Sequence, residues 1–362
     1  MKRTVRITSI LLVLLLVTVI APVAAQDAPA PVSLTLAAYA VPREAFGDLI
    51  PAFQAKWLKD KKQQVEISES YGASGSQSRA VVGGFEADIV DLSIEPDVQR
   101  LVDAKLITHD WKDNEYMGFV TDSEVVLAVR PGNPKGIKDW ADLAQDGLQI
   151  VTPDPVTSGG AQWNILGAYG AARRGHVTGF DASDDGATQF LTKLITNVAA
   201  FDKDGRESFL TFENGIGDVA ITYENEVYAG LQSGGKFEIV YPTSTILIEN
   251  PIALVDTYVD KHGTREVAQA FIDYLYSAEG QEIFAEHGFR PVNSDVAKKY
   301  NVNVEATPAA EATPAADGAV ALTFPPIADQ FTIEEFKTWA DARKTFFGDN
   351  GSISKIISTI KG

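Results

Sequence analysis

Residues 70–77 read SYGASGSQ, after a β-rich run and before a stretch of helical periodicity. Gly72 and Gly75 let the backbone turn tightly there, and Ser74 can cap the helix that follows. A second Ser- and Gly-rich junction stands at residues 152–164, TPDPVTSGGAQWN. A strand ends at Thr152, two prolines stiffen the loop, and Ser158, Gly159 and Gly160 open a long apolar-faced helix. A third junction, FDKDGRESF at 201–209, places Gly205 and Arg206 ahead of another helix.

Outward from these junctions, short β-rich runs alternate with amphipathic stretches. Strands are expected at 33–39, 65–70, 87–92, 124–130, 149–152, 219–223 and 238–241. Between the first two, residues 42–59 carry Phe46, Leu49, Ile50, Phe53 and Trp57 on one helical face. Such alternation implies an α/β fold with doubly wound sheets, here two of them, as befits a chain of 362 residues. Residues 305–316, EATPAAEATPAA, are a six-residue repeat too poor in apolar surface to offset ordering entropy, and read as a mobile surface loop. Helical spacing resumes over 332–347 with Ile333, Phe336, Trp339 and Ala340.

Composition removes several functions. With no cysteine there are no disulfides, thiolate metal sites, Fe–S clusters, catalytic thiols or lipid-anchor cysteine. The four histidines, His109, His176, His262 and His287, stand at no metal-motif spacing, so neither metal nor cofactor is expected. A net charge of −18 argues against a nucleic-acid partner, whose phosphates call for clustered Lys and Arg. Lys2, Arg3 and Arg6 precede an uncharged run to Ala25, with Val23 and Ala25 placed for cleavage before Gln26. That is the layout of a secretory signal peptide; the alternative is an uncleaved anchor. Removing its three positive charges takes the net charge from −18 to −21.

The chemistry of the three junctions is that of helix N-termini. Their first N–H groups lack internal partners and lie at the positive end of the helix dipole, so glycine there lets an anion reach the backbone and serine adds a hydroxyl donor. In open α/β sheets ligands gather at the carboxyl ends of strands, where these loops lie. Taken singly, each junction could equally be a capped helix, and none matches a phosphate loop. Ser74, in GASGS on a strand-to-helix turn, also suggests a hydrolase nucleophile, with His262 or His287 as base. Glu224 and Glu226 in YENE, two residues apart, fall on different helix faces and are expected to be solvated or to cap.

Together the runs SYGASGSQ, ADIVDLSIEPDV (87–98), RPGNPKGIKDWADL (130–143), SGGAQWN, GIGDVAITYENE (215–226), SAEGQEIFAEHGFRP (277–291) and FTIEEF (331–336) resemble the periplasmic sulfate/thiosulfate-binding proteins that serve ABC importers. The resemblance implies a two-lobed periplasmic binding protein of the second type, each lobe a mixed sheet flanked by helices, joined by a two-strand hinge. It places lobe 1 at 33–122 plus 243–300 and lobe 2 at 124–240, with the hinge near 121–125 and 241–243. The loop at 301–320 would follow, then a C-terminal segment at 321–362 whose helix packs across the lobes. It makes Ser74, Ser158, Gly159, Gly160, Gly205 and Tyr223 donors to the anion, with Arg206 supporting from behind. Tyr223 stands where the family has a tryptophan, Ala40 where it has an aspartate, and Asp204 where a small residue is usual. The partners implied are sulfate or thiosulfate and a permease with its ATPase; the chain is expected to be a monomer and no enzyme.

Neither the acidity nor the lack of a cation in the junctions opposes this. Exposed charges are screened over about 8 Å, whereas donors at about 3 Å in a closed cleft act at full strength. Sulfate carries no proton at neutral pH and suits an all-donor pocket. Hydrogen phosphate needs a buried acceptor, for which Asp204 and the Tyr223 phenol are the candidates, so phosphate, molybdate or tungstate is the alternative guest.

Overall fold

The computed structural model describes residues 29–302, 322 and 324–361. The leader at 1–25 and the repeat at 305–316 lie outside the described residues, so neither expectation is examined by it.

β1 (Val32–Tyr39) leads through α1 (Arg43–Lys61) to β2 (Val65–Gly72), its parallel neighbour. The stripe Phe46, Leu49, Ile50, Phe53 and Trp57 is buried, as the helical spacing requires. α2 (Ser74–Val82) connects to β3 (Ile89–Asp91), parallel to β1 on its other side, and α3 (Glu95–Asp103) follows. β4 (Phe119–Val129) then leaves this half. The second half contains β5 (Ile150–Pro153), α4 (Gly159–Arg173), α5 (Asp184–Thr196), β6 (Val198–Asp202), α6 (Gly205–Glu213), β7 (Val219–Tyr223), α7 (Glu224–Gln232) and β8 (Glu238–Val240). β9 (Ser244–Leu254) returns, and α8 (Asp256–His262), α9 (Arg265–Tyr276), α10 (Ala278–Glu286) and α11 (Ser294–Lys299) complete the first half.

The two expected sheets form one hydrogen-bonded path, β2-β1-β3-β9-β4-β7-β5-β6, with β8 on β4. Each end is parallel, and the middle is antiparallel. The join is made by strand length. β4 pairs with β9 from Phe119 to Glu124 and with β7 from Val125 to Val129, so one strand serves both halves and changes partner at Glu124/Val125. Phe53 and Phe271, with centroids 5.0 Å apart, tie α1 to α9 in the core of the first half.

The C-terminal segment adds β10 (Asp329–Phe331), parallel to the start of β9. Phe331 lies against Gly170 of α4 so closely that a Cβ there would come within 2.4 Å of its ring, which makes glycine obligatory at 170. The helix expected over 332–347 is broken into a 3-10 turn (Ile333–Phe336), α12 (Trp339–Ala342) and a π-turn (Arg343–Phe347). The cause is local: Lys337 takes φ 69°, and the Thr338 hydroxyl restarts the helix by accepting from Asp341 N. Phe336 and Trp339 are buried nonetheless, Trp339 edge-on to Trp163 at 4.6 Å. α13 (Ser352–Lys361) ends the chain.

Candidate functional site

Three helices begin at one cleft. β2 ends at Gly72 and α2 starts at Ser74; β5 ends at Pro153 and α4 starts at Gly159; β6 ends at Asp202 and α6 starts at Gly205. Each strand is a member of a parallel set, so all three loops lie at carboxyl ends, as the junction sequences foretold. Gly72, Ala73, Ser74, Ser158, Gly160, Asp204 and Gly205 border a small cleft with a cavity volume of ≈ 20 Å³. Asn164, Thr222, Tyr223 and Glu226 line it from the second half, and Tyr39, Ala40, Val41 and Ser93 from the first. Ser158 caps α4 by accepting from Ala161 N at 3.4 Å, and Asp204 caps α6 by accepting from Glu207 N at 2.9 Å. Among the described residues, no acceptor pairs with the backbone N–H of Ser74, Gly160 or Gly205.

Around this cleft the halves touch, so the arrangement is a closed one. Trp163 Nε1 of α4 donates to Ser93 O at 2.8 Å, and the Ser93 and Tyr223 hydroxyls share a hydrogen bond of 2.8 Å. Gly159 is pressed so near Ser93 that a Cβ would stand 2.9 Å from its Oγ. Gly159 therefore serves the contact between halves, whereas Gly160 lies on the cleft against Ser158 and Tyr223.

The side chains expected to donate are more committed than the sequence suggested. Ser74 Oγ donates to Asp97 Oδ2 at 2.7 Å and accepts from Ser93 N at 3.0 Å. Its hydroxyl fastens the first half, while its N–H has no acceptor among the described residues. This arrangement also leaves Ser74 without an imidazole base: no histidine lines the cleft, and the hydroxyl is already given to Asp97. Ser158 Oγ, by contrast, only accepts among the described residues, which leaves its hydrogen without an acceptor there. Burial raises the Tyr223 phenol well above its usual range, so it is a neutral hydroxyl able to donate or accept. Burial likewise raises the Asp204 carboxyl, while the Glu207 N–H it caps pulls it down.

Glu224 and Glu226 are a correction. Both were expected to be solvated or capping, yet their exposures are 0% and 1%. The first turn of α7 is wedged between β4 and β7 on one side and α6 on the other, so two faces of one turn are both interior. Glu226 lines the cleft. Its Oε2 lies 3.5 Å from Arg206 Nη1, and both atoms lack a hydrogen-bond partner. Burial pushes the Glu226 carboxyl up to about 8, against the pull of Arg206. Arg206 itself stands behind the lining and also faces Glu44 at 3.7 Å and Glu213 at 3.9 Å. Burial works against its charge, but those carboxylates outweigh it and raise its pKa.

Sequence reasoning missed Ser93, Asn164 and Glu226 as cleft residues. Asn164 had a signal: it lies one helical turn beyond Gly160 in SGGAQWN. Its Nδ2 donates to Ile221 O at 2.8 Å, which leaves its Oδ1 buried without a partner. Among the described residues no cluster of three or more His, Asp or Glu could hold a metal ion. No described helix is long and apolar enough to cross a membrane.

Comparison with known proteins places this geometry. Residues 34–290 match the model of the bacterial extracellular solute-binding proteins. A sulfate-binding protein of Synechococcus elongatus is 41% identical over 92% of this chain and 88% of its own. A thiosulfate-binding protein of Pseudomonas aeruginosa is 35% identical over 88% of this chain and 90% of its own. The solved structure of the sulfate-binding protein SubI from Mycobacterium tuberculosis superposes with a TM-score of 0.74 at 36% identity, covering 87% of this chain and 99% of that one.

Proposed function

The chain belongs to the bacterial extracellular solute-binding proteins, and from that premise we propose that its cleft captures sulfate or thiosulfate and delivers the anion to an ABC transporter permease and its ATPase. The observation that carries this reading is the meeting of three helix N-termini at one closed cleft, lined by Ser74, Gly160 and Gly205, whose N–H groups have no acceptor among the described residues. Backbone amides, the Ser158 hydroxyl and the Tyr223 phenol replace the water shell of a dianion, and no lysine is needed. Relatives along nearly the whole chain are named for sulfate and thiosulfate, which favours these guests over phosphate, molybdate or tungstate.

Export by the signal peptide at 1–25 puts the mature protein outside the cytoplasmic membrane as a monomer. The lobes 33–122 plus 243–300 and 124–240 open and close about 121–125 and 241–243. The change of β4 partners at Glu124/Val125 supports this hinge, because a strand that leaves one sheet for another is where twist can be taken up with little loss of pairing. Closure strips water from the anion, and docking to the permease reopens the cleft.

A thermal-unfolding panel tests the reading. Sulfate and thiosulfate are expected to raise the midpoint with concentration, and phosphate and molybdate to raise it less at equal concentration. A larger shift with phosphate would reassign the guest, and no shift with any oxyanion would end the proposal.

A further inference from the structure

The cleft contains one titratable acid that its donors do not account for. Glu226 is almost wholly buried, lines the cleft, and has an oxygen, Oε2, with no hydrogen-bond partner. A buried ionised carboxylate is normally held by several donors, and one without them is costly. Arg206 does not supply them. Its Nη1 stands 3.5 Å away, outside hydrogen-bond geometry, and its charge is divided among Glu226, Glu44 and Glu213.

Arg206 apart, the groups around Glu226 do not favour its ionised form. α6 brings Glu213, with the capping Asp204 on the same cleft; α1 brings Glu44; the ends of β1 and β7 bring Tyr39 and Tyr223. From β4, Glu124 stands with Arg290 and Glu224 on the other face of the α7 turn. Full ionisation would crowd three carboxylates about one guanidinium beside a cleft that admits a second negative group. A neutral carboxyl removes that repulsion and turns an acceptor into an O–H donor.

We propose that Glu226 is a specificity-determining residue of the cleft: its neutral carboxyl donates its O–H to the bound dianion, so capture takes up one proton from solvent wherever Glu226 is ionised in the free protein. This rests on the reading of the cleft as a sulfate or thiosulfate site. Burial already holds the carboxyl near 8 in the unliganded cleft, and a dianion beside it raises it further by like-charge repulsion. Affinity should therefore be level at pH 6–7 and fall above pH 8, by up to about tenfold per pH unit, since one proton is linked to binding.

The experiment is calorimetric titration of the full chain with sodium sulfate from pH 6 to 9.5, in paired buffers of different ionisation enthalpy. Wild-type protein is expected to take up close to one proton per sulfate at the alkaline end and almost none at pH 6. Glu226→Gln, whose amide donates at every pH, should lose the alkaline fall, whereas Glu213→Gln, outside the cleft lining, should keep it. The wild-type proton count stands on its own if the Gln variant does not fold. Sulfate binding without proton uptake, or the same slope in Glu226→Gln, overturns the assignment while leaving the anion site intact. Absence of sulfate binding at every pH removes the functional reading and this inference together.

Discussion

Glu224 and Glu226 lie two residues apart in one helical turn, equally buried, and could hardly be more different in company. Glu224 is fully engaged. Arg290 Nε donates to its Oε2 at 2.6 Å, and Arg290 Nη2 and the Tyr241 hydroxyl donate to its Oε1 at 3.0 and 2.9 Å. Arg290, 2% exposed, also donates to Pro325 O at 3.0 Å and faces Glu124 at 3.7 Å, so it ties the C-terminal segment to the strand that joins the halves. Glu226 faces its arginine at 3.5 Å without one aligned bond. A buried charge with all its partners in place holds a fold together. One left short of partners beside a cleft is available to a ligand.

The contrast is easiest to break from the satisfied side. Arg290→Met should cost about 3–5 kcal/mol of unfolding free energy, because Glu224 and Glu124 would remain buried without their cation. Urea denaturation measures it; a loss below about 1 kcal/mol would show that the Glu224 pair is not what holds this region. The cleft side should respond in binding instead. Ser158→Ala removes a hydroxyl whose hydrogen has no acceptor among the described residues and should weaken sulfate affinity by about 1–3 kcal/mol, read by calorimetry. Loss of the helix cap should lower the unfolding free energy by about 1 kcal/mol, so the binding loss is expected to be the larger of the two. The smallest effect is expected for Tyr223→Phe. It breaks the Ser93–Tyr223 hydrogen bond across the closed cleft and should weaken sulfate binding by about 1 kcal/mol with little change in the unfolding midpoint.

How much of this could be read from residues alone follows from the range of the interactions. The junctions at 70–77, 152–164 and 201–209 were legible because glycine near a helix start and a preceding β-rich run act within a few residues; Ser158 and Asp204 cap their helices, but the cap expected of Ser74 is not made, since Ala73 is the N-cap of α2 and no side chain caps it. The stripe from Phe46 to Trp57 was legible for the same reason. The break at Lys337 was not, since Phe336 and Trp339 keep helical spacing across it while the backbone does not. Ser74 lies at the cleft, but its hydroxyl belongs to Asp97, 23 residues away, which no local pattern announces. Gly159 and Gly160 look alike in SGG, yet one is shaped by Ser93 of the opposite half and the other lines the cleft beside Tyr223.

By itself the sequence determined the alternation of strands and helices and the places where helices start, and hence where first-turn N–H groups lack helical partners. These depend on chain-local geometry, which neighbouring residues decide. Only the tertiary structure decided that β4 would serve both halves, that three helix starts would meet, and that of two adjacent glutamates one would find an arginine and the other a cleft. Those outcomes depend on which distant side chains share a buried volume, and the energy of a buried charge is set by whatever stands within a few ångströms of it.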